Sequence, residues 1–144
     1  MLLREIASSD QSRTTILIRL VVGAVFLSEG IQKFLFEELR GAGRFEKIGL
    51  PSPEILGPMV GGFEIVCGLM ILLGFYTRLA VLPTITIMLV AFFTTKAQIL
   101  AEEGFWEMLH KSRTDWSMLL CSLFLLVKGS GGFSLDRKLA KKYF

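Results

Sequence analysis

Apolar residues fall into four long runs: TILIRLVVGAVFLSEGIQKFLF (15–36), EILGPMVGGFEIVCGLMILLGFY (54–76), LAVLPTITIMLVAFFTTKAQIL (79–100) and TDWSMLLCSLFLLVKGSGG (114–132). Short polar stretches separate them. None shows the broad charged face of a helix on a water-solvated bundle. A hydrocarbon core of about 30 Å takes roughly 20 helical residues, and the first three runs reach that length. The fourth is free of charge only from Trp116 to Val127, so it crosses only with Asp115 and Lys128 at the two headgroup levels. The pattern predicts one all-α domain over residues 1–144. That domain is a polytopic integral membrane four-helix bundle with both termini on the same side. The first run carries Arg19, Glu29 and Lys33, so a soluble helical bundle is the competing reading.

Local signals place the helix ends. Ser52-Pro53-Glu54 reads as N-cap, first-turn proline and an acid at the positive end of the helix dipole. Thr114-Asp115 repeats that logic for the fourth run. Pro58 and Pro83 lie near helix starts, where a kink is tolerated in lipid. A turn of about Thr77-Arg78 makes the second and third runs antiparallel neighbours. The linker from Glu37 to Ser52 is longer. Residues 101–113, EEGFWEMLHKSRT, mix aromatics with charge and predict an interfacial amphipathic turn or short helix.

Composition agrees with a lipid solvent. The chain is 52% hydrophobic, with a mean hydropathy of +0.57. Net charge is +3. Arg137, Lys138, Lys141 and Lys142 form a cationic tail that suits an anionic leaflet; no nucleic-acid motif accompanies it. With four crossings, Arg4, Arg13, Arg19, Arg78, Lys128 and that tail share one side. Lys33, Arg40, Arg44, Lys47, Lys96, Lys111 and Arg113 share the other, offset by a set of glutamates. The balance of basic residues predicts cytoplasmic termini. The opening MLLREIASSDQSRT is too polar for a signal peptide, so the first apolar run is expected to remain in the protein. The cysteines, Cys67 and Cys121, sit deep in apolar runs and read as small hydrophobes. One histidine, His110, cannot build a bis-His haem or a His-rich metal site within one chain.

The candidate chemistry lies in the charges inside the runs. At 100° per residue, Arg19, Gly23, Phe26, Gly30 and Lys33 share one stripe of the first helix, with Glu29 at its edge. Gly57, Gly61, Glu64 and Gly68 form a stripe on the second; small residues at this spacing let helices approach closely in lipid. At about 1.5 Å per residue, Glu64 lies roughly 14 Å below the outer end of its helix, Glu29 about 10 Å, Lys96 about 6 Å and Lys33 about 5 Å. Glu29, Gln32, Lys33, Glu64 and Lys96 can therefore share the outer half of the bundle, with Asp115 at its mouth. Arg19 lies near the inner end. Glu64 is expected to meet Lys33 or Lys96, or to carry a proton. Two readings follow: polar glue that fixes helix register, or a site for a proton, a quinone headgroup or a small anion.

These residues resemble the DoxX family of small membrane proteins. The resemblance runs from about Leu17 to Asp136. It rests on LIRLVVGAVFLSEGIQKF, RFEKIGLPSP, GGFEIVCGLMILLGFYTRLA, TTK followed by TDWS, and the ending GSGGFSLD. It implies a multi-pass cell inner-membrane protein with four helices and no bound metal or haem; a quinone is the one cofactor it admits. Members are linked to quinol oxidase and thiosulfate:quinone oxidoreductase activity, or to thiol-redox and oxidative-stress partners. The family's membrane Arg, Lys and Glu correspond to Arg19, Lys33 and Glu64, without a transferable catalytic role. The leading expectation is an accessory subunit of a quinone- or thiol/sulfur-linked redox system with a buried polar pocket. Its partners would be the lipid bilayer, redox-enzyme subunits and further copies of the chain, and no nucleic acid. The alternatives are a quinone-coupled oxidoreductase subunit, with Glu64 as proton acceptor and Lys33 or Arg19 polarising the substrate, or a small oligomeric carrier.

Overall fold

The computed structural model describes residues 5–6 and 10–143. Arg4 of the charge balance, and most of the opening MLLREIASSD, lie outside the described residues. Every regular element among those described is helical: α1 (Thr15–Leu35), α2 (Glu37–Arg40), α3 (Ala42–Lys47), α4 (Pro53–Leu73), α5 (Thr77–Glu103), α6 (Phe105–Lys111), α7 (Arg113–Lys128) and α8 (Leu135–Tyr143). By length and apolarity, α1, α4 and α5 can cross a membrane. With 16 residues, α7 rises only about 24 Å, so it falls short of that standard.

The helices pack as two pairs, α1 along α4 and α5 along α7, joined where α4 meets α5. The first pair is drawn together by glycine. A Cβ built on Gly30 would lie 2.7 Å from the Gly61 carbonyl oxygen, and one on Gly68 would lie 2.7 Å from the Leu27 amide nitrogen. The two backbones thus touch where side chains would hold them apart, the arrangement that drives helix association in lipid. Gly57 makes the same close approach to Ala42, which seats α3 and the linker on α4.

Each of α1, α4, α5 and α7 gives two residues to the buried apolar core: Val22 and Phe26, Cys67 and Ile71, Ala80 and Val81, Met118 and Leu125. That core is small. Large apolar side chains cover the outside of all four helices, among them Leu17, Val66, Leu79 and Val127, with Phe93 79% exposed. So many exposed large apolar side chains, on three helices long and apolar enough to cross a membrane, favour a lipid surround over the soluble-bundle reading.

Several ends differ from expectation. The turn after α4 is Gly74 to Tyr76 rather than Thr77-Arg78. Gly74 (φ 65°) closes α4 in the left-handed conformation, and Tyr76 (φ 43°) precedes α5 in the same region, a conformation that favours glycine at a helix C-terminus. Ser52 also adopts a left-handed backbone and makes no side-chain cap. α7 begins at Arg113, and Ser112 turns its hydroxyl back to the Met108 carbonyl. The third helix is longer than expected. It runs through a π-helical turn at Phe92–Lys96 and on to Glu103. Within the 101–113 stretch, residues 101–103 end α5 and residues 105–111 form a separate short helix, with Trp106 78% exposed.

Candidate functional site

Glu64 lies halfway along α4 on the glycine face, only 2% exposed. Gly61, one turn earlier, stands beside Gly30 of α1, and a Cβ at Gly61 would be 3.2 Å from the Lys33 Cβ. The close packing therefore brings the Lys33 stem against α4, and its Nζ reaches 2.7 Å from Glu64 Oε2. Of the two partners the sequence offered Glu64, the structure selects Lys33. The contact is a close ion pair inside the bundle, and a carboxylate has more lone pairs than one ammonium can fill. Glu29 is half-buried one turn before Lys33. Gln32 turns away to the Ser28 hydroxyl of its own helix.

Lys96 belongs to the second helix pair. The π-helical turn Phe92–Lys96 carries it, and its Nζ lies 3.0 Å from Asp115 Oδ2 and 3.2 Å from the Lys111 carbonyl oxygen. A π turn shifts all later side chains around the helix and recurs at functional positions. Here it aims Lys96 at the first turn of α7. Lys33–Glu64 and Lys96–Asp115 are therefore two pairs on two helix pairs.

Arg19 is placed elsewhere. It is 2% exposed, and its guanidinium donates to four carbonyls. Nε reaches Ile71 O at 2.9 Å and Nη2 reaches Leu72 O at 2.7 Å, both at the end of α4. Nη1 reaches Ser130 O at 2.9 Å and Phe133 O in the segment before α8. This planar fork of donors suits several carbonyls at once. Its place is a clasp at the other end of the bundle from Lys33, not a polar group facing Glu64.

Asp136 was not among the sequence candidates. It is 1% exposed; its Oδ1 accepts from the Tyr76 amide at 2.6 Å and its Oδ2 from the Thr77 amide at 3.2 Å. Its own amide donates to Gly74 O at 2.8 Å. Burial pushes its carboxyl above the ordinary range, against the pull of those amide donors. At the same end, the Gly132 amide donates to Ser12 O and the Asp10 amide to Lys128 O. The segment before α1, the α4–α5 turn and the segment before α8 are thus tied together.

Among the described residues no cluster of His, Cys, Asp and Glu could hold a metal ion. The chemistry available is that of one cation and one partly satisfied carboxylate in an apolar bundle: holding a proton, or accepting and donating hydrogen bonds to a polar headgroup.

A family model described as DoxX matches residues 14–97, which include Arg19, Lys33, Glu64 and Lys96. The chain is 49% identical over 135 residues to the "Uncharacterized membrane protein Rv3486" of Mycobacterium tuberculosis, covering 90% of this chain and 83% of that relative. It is 26% identical over 123 residues to the "Putative oxidoreductase CatD" of Bacillus subtilis, covering 85% of this chain and 84% of that relative. No solved structure matches.

Proposed function

The chain belongs to the DoxX family, and from that premise we propose that it is an accessory membrane subunit of a quinone- or thiol/sulfur-linked redox system. The Lys33–Glu64 pair is its ligand-facing group. The single observation that carries this reading is the state of Glu64. It is a carboxylate inside an apolar bundle, 2% exposed and held by a single lysine at 2.7 Å. Ionisable groups at such depth are costly and generally mark sites. The similarity to a relative named as an oxidoreductase supports the redox setting.

The residues fit a quinone headgroup. The Lys33 ammonium has donors beyond the one facing Glu64, and Glu64 Oε2 can accept a hydroxyl proton. A quinone, when bound, supplies the electron exchange. Lys33 orients its oxygen, Glu64 holds the proton, and the packed glycine faces exclude water. In this reading α7 is a fourth crossing in the cell inner membrane, with Arg113 and Lys128 at its two ends and cytoplasmic termini. The joining of residues 10–14, 74–77 and 128–136 at one end supports that topology.

Quantifying quinone extracted with the purified protein tests the site. Wild type is expected to retain quinone above the level of a control membrane protein, and Glu64→Gln is expected to remain folded and lose it. Equal retention by both would refute the site. Cysteine labelling tests the topology: Glu46→Cys, in a chain with Cys67 and Cys121 replaced by Ser, should label from outside intact cells. Labelling only after lysis would invert it.

A further inference from the structure

Beside the Arg19 clasp lies a groove of about 600 Å³. Apolar residues line it, Leu72 and Leu73 at the end of α4 with Phe133 and Leu135. So do three cations of α8, Arg137, Lys138 and Lys141. Leu73 and Phe133 are largely exposed. The groove sits where a helix long enough to cross the membrane ends, at the depth where acyl chains give way to headgroups.

The charges are not neutralised from within. No acidic side chain lines the groove among the described residues. The nearby Asp136 is buried and committed to the Tyr76 and Thr77 amides. Asp10 pairs with Lys128 at 3.4 Å. Arg137 gives one donor to Gly132 O at 3.2 Å and keeps the rest of its fork. Arg13 stacks over the Phe133 ring at 5.5 Å, which adds a cation to the rim.

We propose that this groove binds one anionic glycerophospholipid, with its phosphate among Arg137, Lys138 and Lys141 and an acyl chain along Leu72, Leu73 and Phe133. Charge complementarity selects the occupant. Cations that line the groove without a counter-acid match a headgroup with net negative charge better than a zwitterion, which carries its own cation. The apolar lining requires a chain attached to the phosphate, which a free phosphate lacks. The consequence reaches the fold. Phe133 also supplies a carbonyl to Arg19, so a bound lipid would brace the segment that joins α8 to the α4–α5 turn.

Native mass spectrometry of the full chain in mild detergent, with phosphatidylglycerol and phosphatidylcholine supplied together, reads the preference directly. Wild type is expected to retain phosphatidylglycerol preferentially. At about fivefold for each lysine near an anionic surface, the double variant K138Q/K141Q should weaken that retention about 25-fold. Both lysines are exposed, so the fold should survive, and circular dichroism checks that. Lys142 lies over the Tyr143 ring, outside the groove, so K142Q should leave the preference intact. Equal retention of the two lipids by wild type would overturn the proposal. So would an unchanged preference in K138Q/K141Q, or a loss in K142Q as large as in that variant. Displacement of the lipid by glycerol 3-phosphate would overturn it too, since that would make the groove a plain phosphate site.

Discussion

Arg19 and Asp136 grip opposite halves of one turn. Arg19 takes the carbonyls of Ile71 and Leu72, where α4 ends, and Asp136 takes the amides of Tyr76 and Thr77, where α5 begins. A helix leaves carbonyls unpaired at its C-terminus and amides unpaired at its N-terminus. Arg19 and Asp136 are buried, so they stand in for water at these groups, one for each end.

Arg19→Lys should therefore fail as a conservative change. An ammonium cannot span four carbonyls in a plane. At roughly 1.5–3 kcal/mol net for each charged hydrogen bond, the loss of one or two should lower stability by about 1.5–6 kcal/mol. Thermal unfolding in detergent, followed by circular dichroism, measures it; a melting temperature equal to wild type would show the clasp is dispensable.

Asp136 predicts a pH dependence with a definite sign. Burial raises its folded carboxyl above the ordinary value of 3.8. The folded state then binds more protons than the unfolded state as pH climbs from about 4, so this group's contribution to stability falls across that window and levels off above the folded value. Asp136→Asn cannot titrate. The stability of wild type minus that of the variant should grow as pH drops from neutral towards 4. A difference that stays flat with pH would contradict it.

Much of this was legible beforehand, and the exceptions share a cause. Glu64 and Lys33 declared themselves because a charge in an apolar run is conspicuous, and the glycine spacing showed which faces meet. Arg19 was equally conspicuous, but its partners are backbone carbonyls, which no side-chain pattern encodes. Asp136 was hidden because its partners lie about 60 positions away, across a turn in which a tyrosine, Tyr76, takes the left-handed conformation. An acid directly after the glycine- and serine-rich GSGGFSL was the only available signal. The π turn before Ala97 leaves no compositional mark, so the pairing of Lys96 with Asp115 was not anticipated as a unit separate from Glu64.

The glycine seam can be tested against an internal control. A Cβ on Gly30 would press to 2.7 Å from the Gly61 carbonyl oxygen, whereas a Cβ on Gly62 would have nothing within 4 Å. Gly30→Ala should force the two backbones apart and cost about 1–3 kcal/mol, as overpacking does. Gly62→Ala should be neutral or stabilising, by up to about 1 kcal/mol of helix propensity. Thermal unfolding of both variants in the same detergent measures the contrast. Similar effects from both would mean the helices do not touch along this face.

The pair at the centre of the proposal separates glue from site by a double-variant cycle. Breaking a buried ion pair strands the remaining charge, while removing both charges together is often close to neutral. Lys33→Met and Glu64→Gln should each lower stability, by about 1–3 kcal/mol given the modest strength of polar contacts between membrane helices. The combined variant should recover most of that loss. If the pair only fixes register, the recovered protein should function as wild type does, since shape and packing are kept. If the pair meets a ligand, stability returns and quinone retention does not. A combined variant less stable than either single change would show that the two charges act independently, and Glu64 would need another partner than Lys33.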